Sequence, residues 1–291
     1  MPRGFTILYF VFLLSSCYSP RYVYSPATQN LPLLTKKNDV KVGGYVAGGL
    51  GSNDLKVFKK GTNLGIDGHG AYAITDHFAT MINYYRRWER NSVDNDLLSG
   101  DSIIINYHRS LVEMGAGYFT LLGHANTSFQ IFGGLALGKF RINEKNAQNL
   151  MGATRFHNSN IDKIFIQPSF ISGIKKHFTA SFSSRFSMVY FNKISTDYTQ
   201  TEQADYFLSD LTHSPVFFWE PAMDYVLGCK KMRGIKIELQ VSFSVLMNRR
   251  FVDYRTMNFA MGIISDLRFK HAGSSVIQPL HAAKDTSIQL K

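Results

Sequence analysis

The chain has 291 residues, 45% of them hydrophobic and 14% aromatic, and a formal net charge of +11. That composition can bury a large apolar surface and excludes a disordered chain, while a total of two cysteines excludes a disulfide framework and a thiolate metal cluster. The basic balance would suit nucleic acid, but the Lys and Arg residues are scattered and the chain opens on an export signal. Anionic lipid head groups or lipopolysaccharide phosphates are therefore the better match.

Residues 1–16 read as a lipoprotein signal peptide. The apolar run Phe5 to Leu14 spans ten residues, too short for a permanent helical span, which needs about 20, and small residues stand before the expected cut. Leu14-Ser15-Ser16-Cys17 resembles the bacterial lipobox. That resemblance implies cleavage before Cys17, a diacylglycerol on its sulfur and an acyl chain such as palmitate on the new N-terminus, with no other cofactor. An ordinary signal peptide with a cysteine at the cut is the alternative. Tyr18 follows where many enterobacterial inner-membrane lipoproteins carry Asp, which favours the outer membrane. Residues 17–39, with Pro20, Pro26 and Pro32, read as a lipid-anchored tether, because each proline lacks a backbone donor.

Residues 40–270 read as strands. Weaker candidates are Val40 to Gly51, Leu64 to Ile74, His77 to Trp88, Ile105 to Leu122, Thr127 to Phe140, Ile161 to Lys175 and Pro215 to Cys229. Three are strong. Phe178 to Tyr190 puts Phe178, Ala180, Phe182, Phe186, Met188 and Tyr190 on one face and Thr179, Ser181, Ser183, Arg185 and Ser187 on the other. Ile235 to Val245 alternates apolar and polar residues without exception, and Phe259, Met261, Ile263, Leu267 and Phe269 share a face near the end. Ten strands follow, although eight or twelve also fit the uncertain boundaries. Many are long enough to cross a bilayer with tilt, which takes roughly 9 to 11 residues. Short turns alternate with longer loops at 52–63, 89–104, 141–160, 192–214 and 248–257, as in outer-membrane barrels. The expectation is an all-β, antiparallel up-and-down transmembrane β-barrel with both termini on the short-turn, periplasmic side. A polar tail, 271–291, completes the chain.

The Tyr-x-Pro stretch after Cys17, Leu31 to Leu34, the Gly-rich first strand and Gly70-Ala71-Tyr72-Ala73 together resemble uncharacterised outer-membrane β-barrel lipoproteins of the Bacteroidota. The resemblance implies a location and a fold and carries no activity.

With the apolar faces toward lipid, the lumen receives Asp67, His69, Glu113, Lys175, Arg185, Glu220, Asp224, Lys236, Glu238, Asp266 and Arg268. Such a mixed set fits a paired charge network filling a narrow barrel. It also fits the lining of a small passive pore or a ligand cavity. An outer-membrane hydrolase would need acids and His at one rim; Asp76-His77 falls in a short turn, and His69 with Asp67 is the candidate base and orienting carboxylate. His157, placed in a loop, and His213 have no metal-ligand partners in the pattern. Trp88, Tyr84, Tyr85, Tyr190, Phe217 and Trp219 fall near strand ends, where interfacial aromatics sit. Cys229 reads as a small outward hydrophobe. A soluble lipocalin-like lipoprotein with its apolar faces turned inward to a ligand is a further alternative. Structural or surface-recognition work through the long loops is the expected role, with outer-membrane lipid as the partner and no nucleic acid. The protein partner, if one exists, is not specified by the sequence.

Overall fold

Period-two alternation commits residue after residue to opposite faces of a sheet. The computed structural model describes residues 21–50, 62–94, 102–123, 126–146, 154–173, 178–228, 235–248 and 252–268. Cys17, Lys175, Cys229, Phe269 and the segments 1–16 and 271–291 lie outside them. The strands are β1 (Asp39–Leu50), β2 (Thr62–Ala73), β3 (Phe78–Asp94), β4 (Ser102–Leu122), β5 (Thr127–Asn146), β6 (Arg155–Ser172), β7 (Phe178–Thr196), β8 (Val216–Gly228), β9 (Ile235–Phe243), β10 (Val245–Leu246) and β11 (Met257–Arg268). A short helix, α1 (Gln200–Asp205), lies between β7 and β8.

β9 and β10 are one run interrupted at Ser244. Both pair with β8 in a single register, Ser242 opposite Ala222 and Val245 opposite Trp219. Every strand is antiparallel to its sequence neighbour, and β1 pairs with β11 from Asp39 opposite Arg268 to Leu50 opposite Met257. The sheet therefore closes as an up-and-down barrel of ten strands, which leaves no open edge. The β2–β3, β4–β5, β6–β7 and β8–β9 connections are short and share one rim; the longer ones share the other. Gly173, at φ +83°, starts the β6–β7 turn, where an added Cβ would come within 2.5 Å of the Phe178 carbonyl oxygen.

The outer face carries a continuous apolar band. On β9 and β10 it runs through Ile235, Ile237, Leu239, Phe243 and Val245, all exposed. That is roughly 33 Å of strand, or about 25 Å along the barrel axis at a tilt near 40°, the height of a membrane-facing band. Leu135 and Leu137 on β5 are 61% and 63% exposed. Apolar faces turned outward are the reverse of what a lipocalin-like ligand barrel requires, and the barrel is a transmembrane one.

The tether expected at the start of the chain is corrected. Arg21 to Leu34 is no external tether: it is buried almost throughout and runs down the lumen as a plug. Tyr24 bridges Tyr254, and the Val23 amide donates to the Asp253 carbonyl at 2.9 Å, within the long β10–β11 connection. At the far end the Lys37 amide donates to Asp76 at 2.8 Å in the β2–β3 turn. Arg21 thus lies at the long-loop rim and Arg268, opposite Asp39, at the short-turn rim. The described ends of the chain do not share a side.

The loops are also shorter than the sequence reading placed them. β3 to β7 extend for 17, 21, 20, 18 and 19 residues, against 12 for β1, β2 and β11. One wall of the barrel therefore rises well beyond the apolar band. His157 lies in this wall, on β6, and not in a loop.

Candidate functional site: the plugged lumen and its cap

The inward positions of the strands meet the plug, whose irregular backbone must find hydrogen-bond partners in the barrel wall. Side chains supply them. The Gln29 amide donates to Gln240 Oε1 at 2.5 Å, and Gln240 Nε2 donates back to the Gln29 carbonyl at 2.8 Å. Gln167 Nε2 donates to the Asn30 carbonyl at 2.9 Å, Lys41 Nζ to that of Leu31 at 3.0 Å, and Gln130 Nε2 to that of Pro32 at 2.7 Å. The plug's own side chains respond: Asn30 Nδ2 donates to Asn83 Oδ1 at 2.9 Å and Gln29 Nε2 to the Glu220 carbonyl at 2.7 Å.

Around this contact lies the charge network. Arg185, fully buried, donates to Gln167 Oε1 at 2.8 and 2.6 Å and to the Glu113 carboxylate at 3.2 and 3.3 Å. Glu113 also accepts from Tyr85 at 2.7 Å and Asn83 at 3.2 Å. Lys163 bridges Glu113 at 3.3 Å and Glu220 at 3.2 Å, while Tyr24 of the plug donates to Glu220 at 2.8 Å. Tyr85 is thus a lumen residue and not an interfacial one: its place on β3 gives it the inward parity.

Asp67 is held by Arg87 and by the Thr28 amide at 3.3 Å. Among the described residues no hydrogen bond joins Asp67 to His69, which packs against the rings of Tyr45 and Tyr85. The base-and-carboxylate pairing considered from sequence does not form. Glu238 pairs with Lys41 at 2.7 Å, and Asp224, also buried, has no ion-pair partner among the described residues. Lys236 and Asp266 meet at 2.6 Å but sit partly exposed toward the short-turn rim. Arg268 is placed there by its backbone pairing. Asp76 and His77 occupy the β2–β3 turn, the latter with Nδ1 3.3 Å from the Phe119 carbonyl oxygen. His213 is exposed beside Asp210. No group of three or more metal-ligating side chains occurs among the described residues.

Above the apolar band the lumen changes character. Tyr22, Val23 and Tyr24 join Ile105, Tyr107, Phe140, Ile142 and Phe191 of the tall wall, with Leu208 and Leu211 from the β7–β8 connection, in one buried apolar cluster. Helix α1 in that connection opens on a capping box between Thr199 and Glu202. Glu202 pairs with Arg155, whose hydrogen bonds draw its carboxyl down to about 2. Arg21 pairs with Glu144 at 3.0 Å and lies over the Tyr206 ring, and Glu89 binds both Arg109 and Arg255. His157 is enclosed near Phe140 and Tyr198, and burial pushes its imidazole down to about 4. Among the described residues this cap lies across the mouth.

Lys41, Arg87, Glu89 and Lys163, with Gln130, Gln167 and Gln240, escaped the sequence reading. The signal was available in their inward parity; what was missing was a reason to expect polar amides there, which the plug supplies.

No family model matches the chain, and no curated protein does. Solved structures that resemble it include the translocator domain of the autotransporter NalP from Neisseria meningitidis, at 10% identity and a TM-score of 0.45, covering 79% of this chain and 88% of that one. The COG4313 outer membrane channel from Pseudomonas putida F1 matches at 8% identity and a TM-score of 0.40, over 82% and 97%. The outer membrane protease OmpT from Escherichia coli matches at 7% identity and a TM-score of 0.41, over 83% and 100%.

Proposed function

We propose that this chain is a plugged, lipid-anchored barrel of the bacterial outer membrane that works through its long-loop rim and conducts nothing. The observation that carries the reading is the plug: Arg21 to Leu34 fills the lumen and is tied by hydrogen bonds to β2, β3, β5, β6 and β9. Membrane insertion is supported by the outward apolar band, since a closed barrel is the strand architecture that leaves no backbone group unpaired in lipid. With lumen and mouth closed, what remains for recognition is the raised wall and its loops, a structural or surface-recognition role. The resemblance to Bacteroidota barrel lipoproteins is compatible with this role.

The plug also bears on the anchor. Cys17 precedes Arg21 by four residues, and four residues of extended chain reach at most about 14 Å. We infer that an acyl chain on Cys17 anchors in the leaflet on the long-loop side. Incorporation of labelled fatty acid, lost in Cys17→Ser, tests the anchor; digestion of intact cells by an added protease tests the side.

Planar-bilayer recording tests the central claim. The parent protein is expected to give no conductance steps, while Gln29→Gly with Asn30→Gly, which cuts the side-chain ties at the middle of the plug, gives intermittent ones. Steady conductance of the parent would overturn the reading and restore the small passive pore.

A further inference from the structure

Outside the raised wall, directly above the apolar band, basic side chains stand in register on adjacent strands. Arg86 on β3 lies opposite Ser110 on β4, and Ser110 lies opposite Lys139 on β5. In the next row Trp88 faces His108 and His108 faces Arg141. One row below are Tyr84, Val112 and Leu137, and below those Ile82, Met114 and Leu135, exposed members of the band. The basic rows thus begin two residues, or about 7 Å of strand, beyond the last lipid-facing row.

The surface there is concave. A cleft of about 500 Å³ is lined by Tyr84, Ser110 and Asn143 together with basic residues, and none of its lining residues is acidic. No ion pair engages Arg86, Lys139 or Arg141 among the described residues. Partial burial, with Arg86 and Arg141 beside it, holds the His108 imidazole below its ordinary value, as expected of a cationic cluster with no acid to offset it. A second hollow of about 730 Å³ shares Tyr84, Ser110 and Lys139 with the first and adds Val112 and Leu137 from the band; Lys193 and one acid, Asp162, line its β6–β7 side, where Asn192 donates to the Asp162 carboxylate. Positive and apolar linings are therefore contiguous, in the order in which an anionic amphiphile standing in the surrounding leaflet presents its head and its chains.

We propose that the outer face of β3 to β5 at this level is a docking site for the phosphorylated headgroup of a glycolipid, its acyl chains lying along Val112, Leu135 and Leu137. Arg86, Lys139 and Arg141 bind the phosphate oxygens; arginine's planar fork suits them. The site rests on the membrane-spanning reading above and places the raised wall in the leaflet of the long-loop rim.

The test is a titration of the full chain in detergent micelles with bisphosphorylated lipid A. The comparison is the triple variant Arg86→Gln, Lys139→Gln, Arg141→Gln, whose changes are all on the outer surface. The parent is expected to bind saturably and the variant about a hundredfold more weakly, from about fivefold per basic side chain near an anionic surface. Equal binding by the two proteins would overturn the proposal. So would equal affinity for phosphatidylglycerol, which makes the patch a general anionic surface, or full displacement by millimolar inorganic phosphate, which makes it a free-anion site. The same preparations are run on a gel with and without boiling. Absence of a heat-dependent shift in the parent counts against the membrane barrel itself, independently of any titration result.

Discussion

The belt and the cap are made from the same strands and differ in which face is apolar. In the belt of β5, Leu135 and Leu137 face out and Ala136 faces in; higher on the same strand Lys139 and Arg141 face out while Phe140 and Ile142 face in. The parity never changes, only the solvent on each side of the wall. Within the bilayer the outside is hydrocarbon and the inside holds the plug, whose hydrogen-bonded middle is ringed by the charge network and whose Leu33 and Leu34 pack in small apolar clusters with Ile171, Phe119 and Phe132. Above it the outside is water and head groups, and the inside must bury an apolar core like any soluble domain.

Removing one charge from the belt's lumen is expected to have the largest effect. Arg185→Met leaves Glu113 with Lys163 alone and strips Gln167 of its donor; breaking a buried pair costs roughly 3–5 kcal/mol. The drop should appear in the denaturant midpoint for unfolding from lipid vesicles. Leu135→Arg on the lipid-facing side is expected to cost about 2–4 kcal/mol by the same measurement, whereas Arg141→Leu, six residues further along, should change little. Equal costs for those two would erase the distinction between belt and cap.

The cap should respond to mild acid. His157 has a depressed folded value near 4 against about 6.5 unfolded, so the unfolded state binds more protons between those limits. Cap stability is fully present above about pH 6.5 and falls as pH drops toward 4, by roughly 3 kcal/mol if the ring stays enclosed. Amide exchange of β6 and of the β7–β8 connection reads this out, and His157→Phe is expected to flatten the profile in that window. The smallest effect is expected from Thr199→Ala, which removes the cap of α1 at about 1 kcal/mol and should loosen that connection without moving the barrel midpoint.

The strands themselves, the sharing of faces along each and the alternation of short and long connections were legible because each depends on local period and turn chemistry; ten strands stood beside eight or twelve, and the outward turn of the apolar face beside an inward one. Phe178 to Tyr190 and Ile235 to Val245 needed no context. The upper halves of β3 to β7 were not legible: Lys139 to Asn143 alternates as the belt does, but with polarity exchanged, and a reading tuned to one polarity takes the change for a loop. Among the candidate residues, Glu113, Arg185 and Glu220 were visible as inward charges. Their partners Lys163, Asn83 and Gln167 were not singled out, because partner choice depends on which strands meet across the lumen.

Residue by residue, the sequence by itself determined that the chain makes strands and which residues share a face, since a period of two is written in neighbouring side chains; the exposed apolar band decided that the shared apolar face turns outward. Only the tertiary structure decided that Arg21 to Leu34 goes inside. That stretch has no period, and three of its carbonyls accept from Gln130, Gln167 and Gln240, residues 98, 137 and 211 positions away. Its fate is set by closure of the barrel, which creates a polar lumen that the chain's own backbone can satisfy.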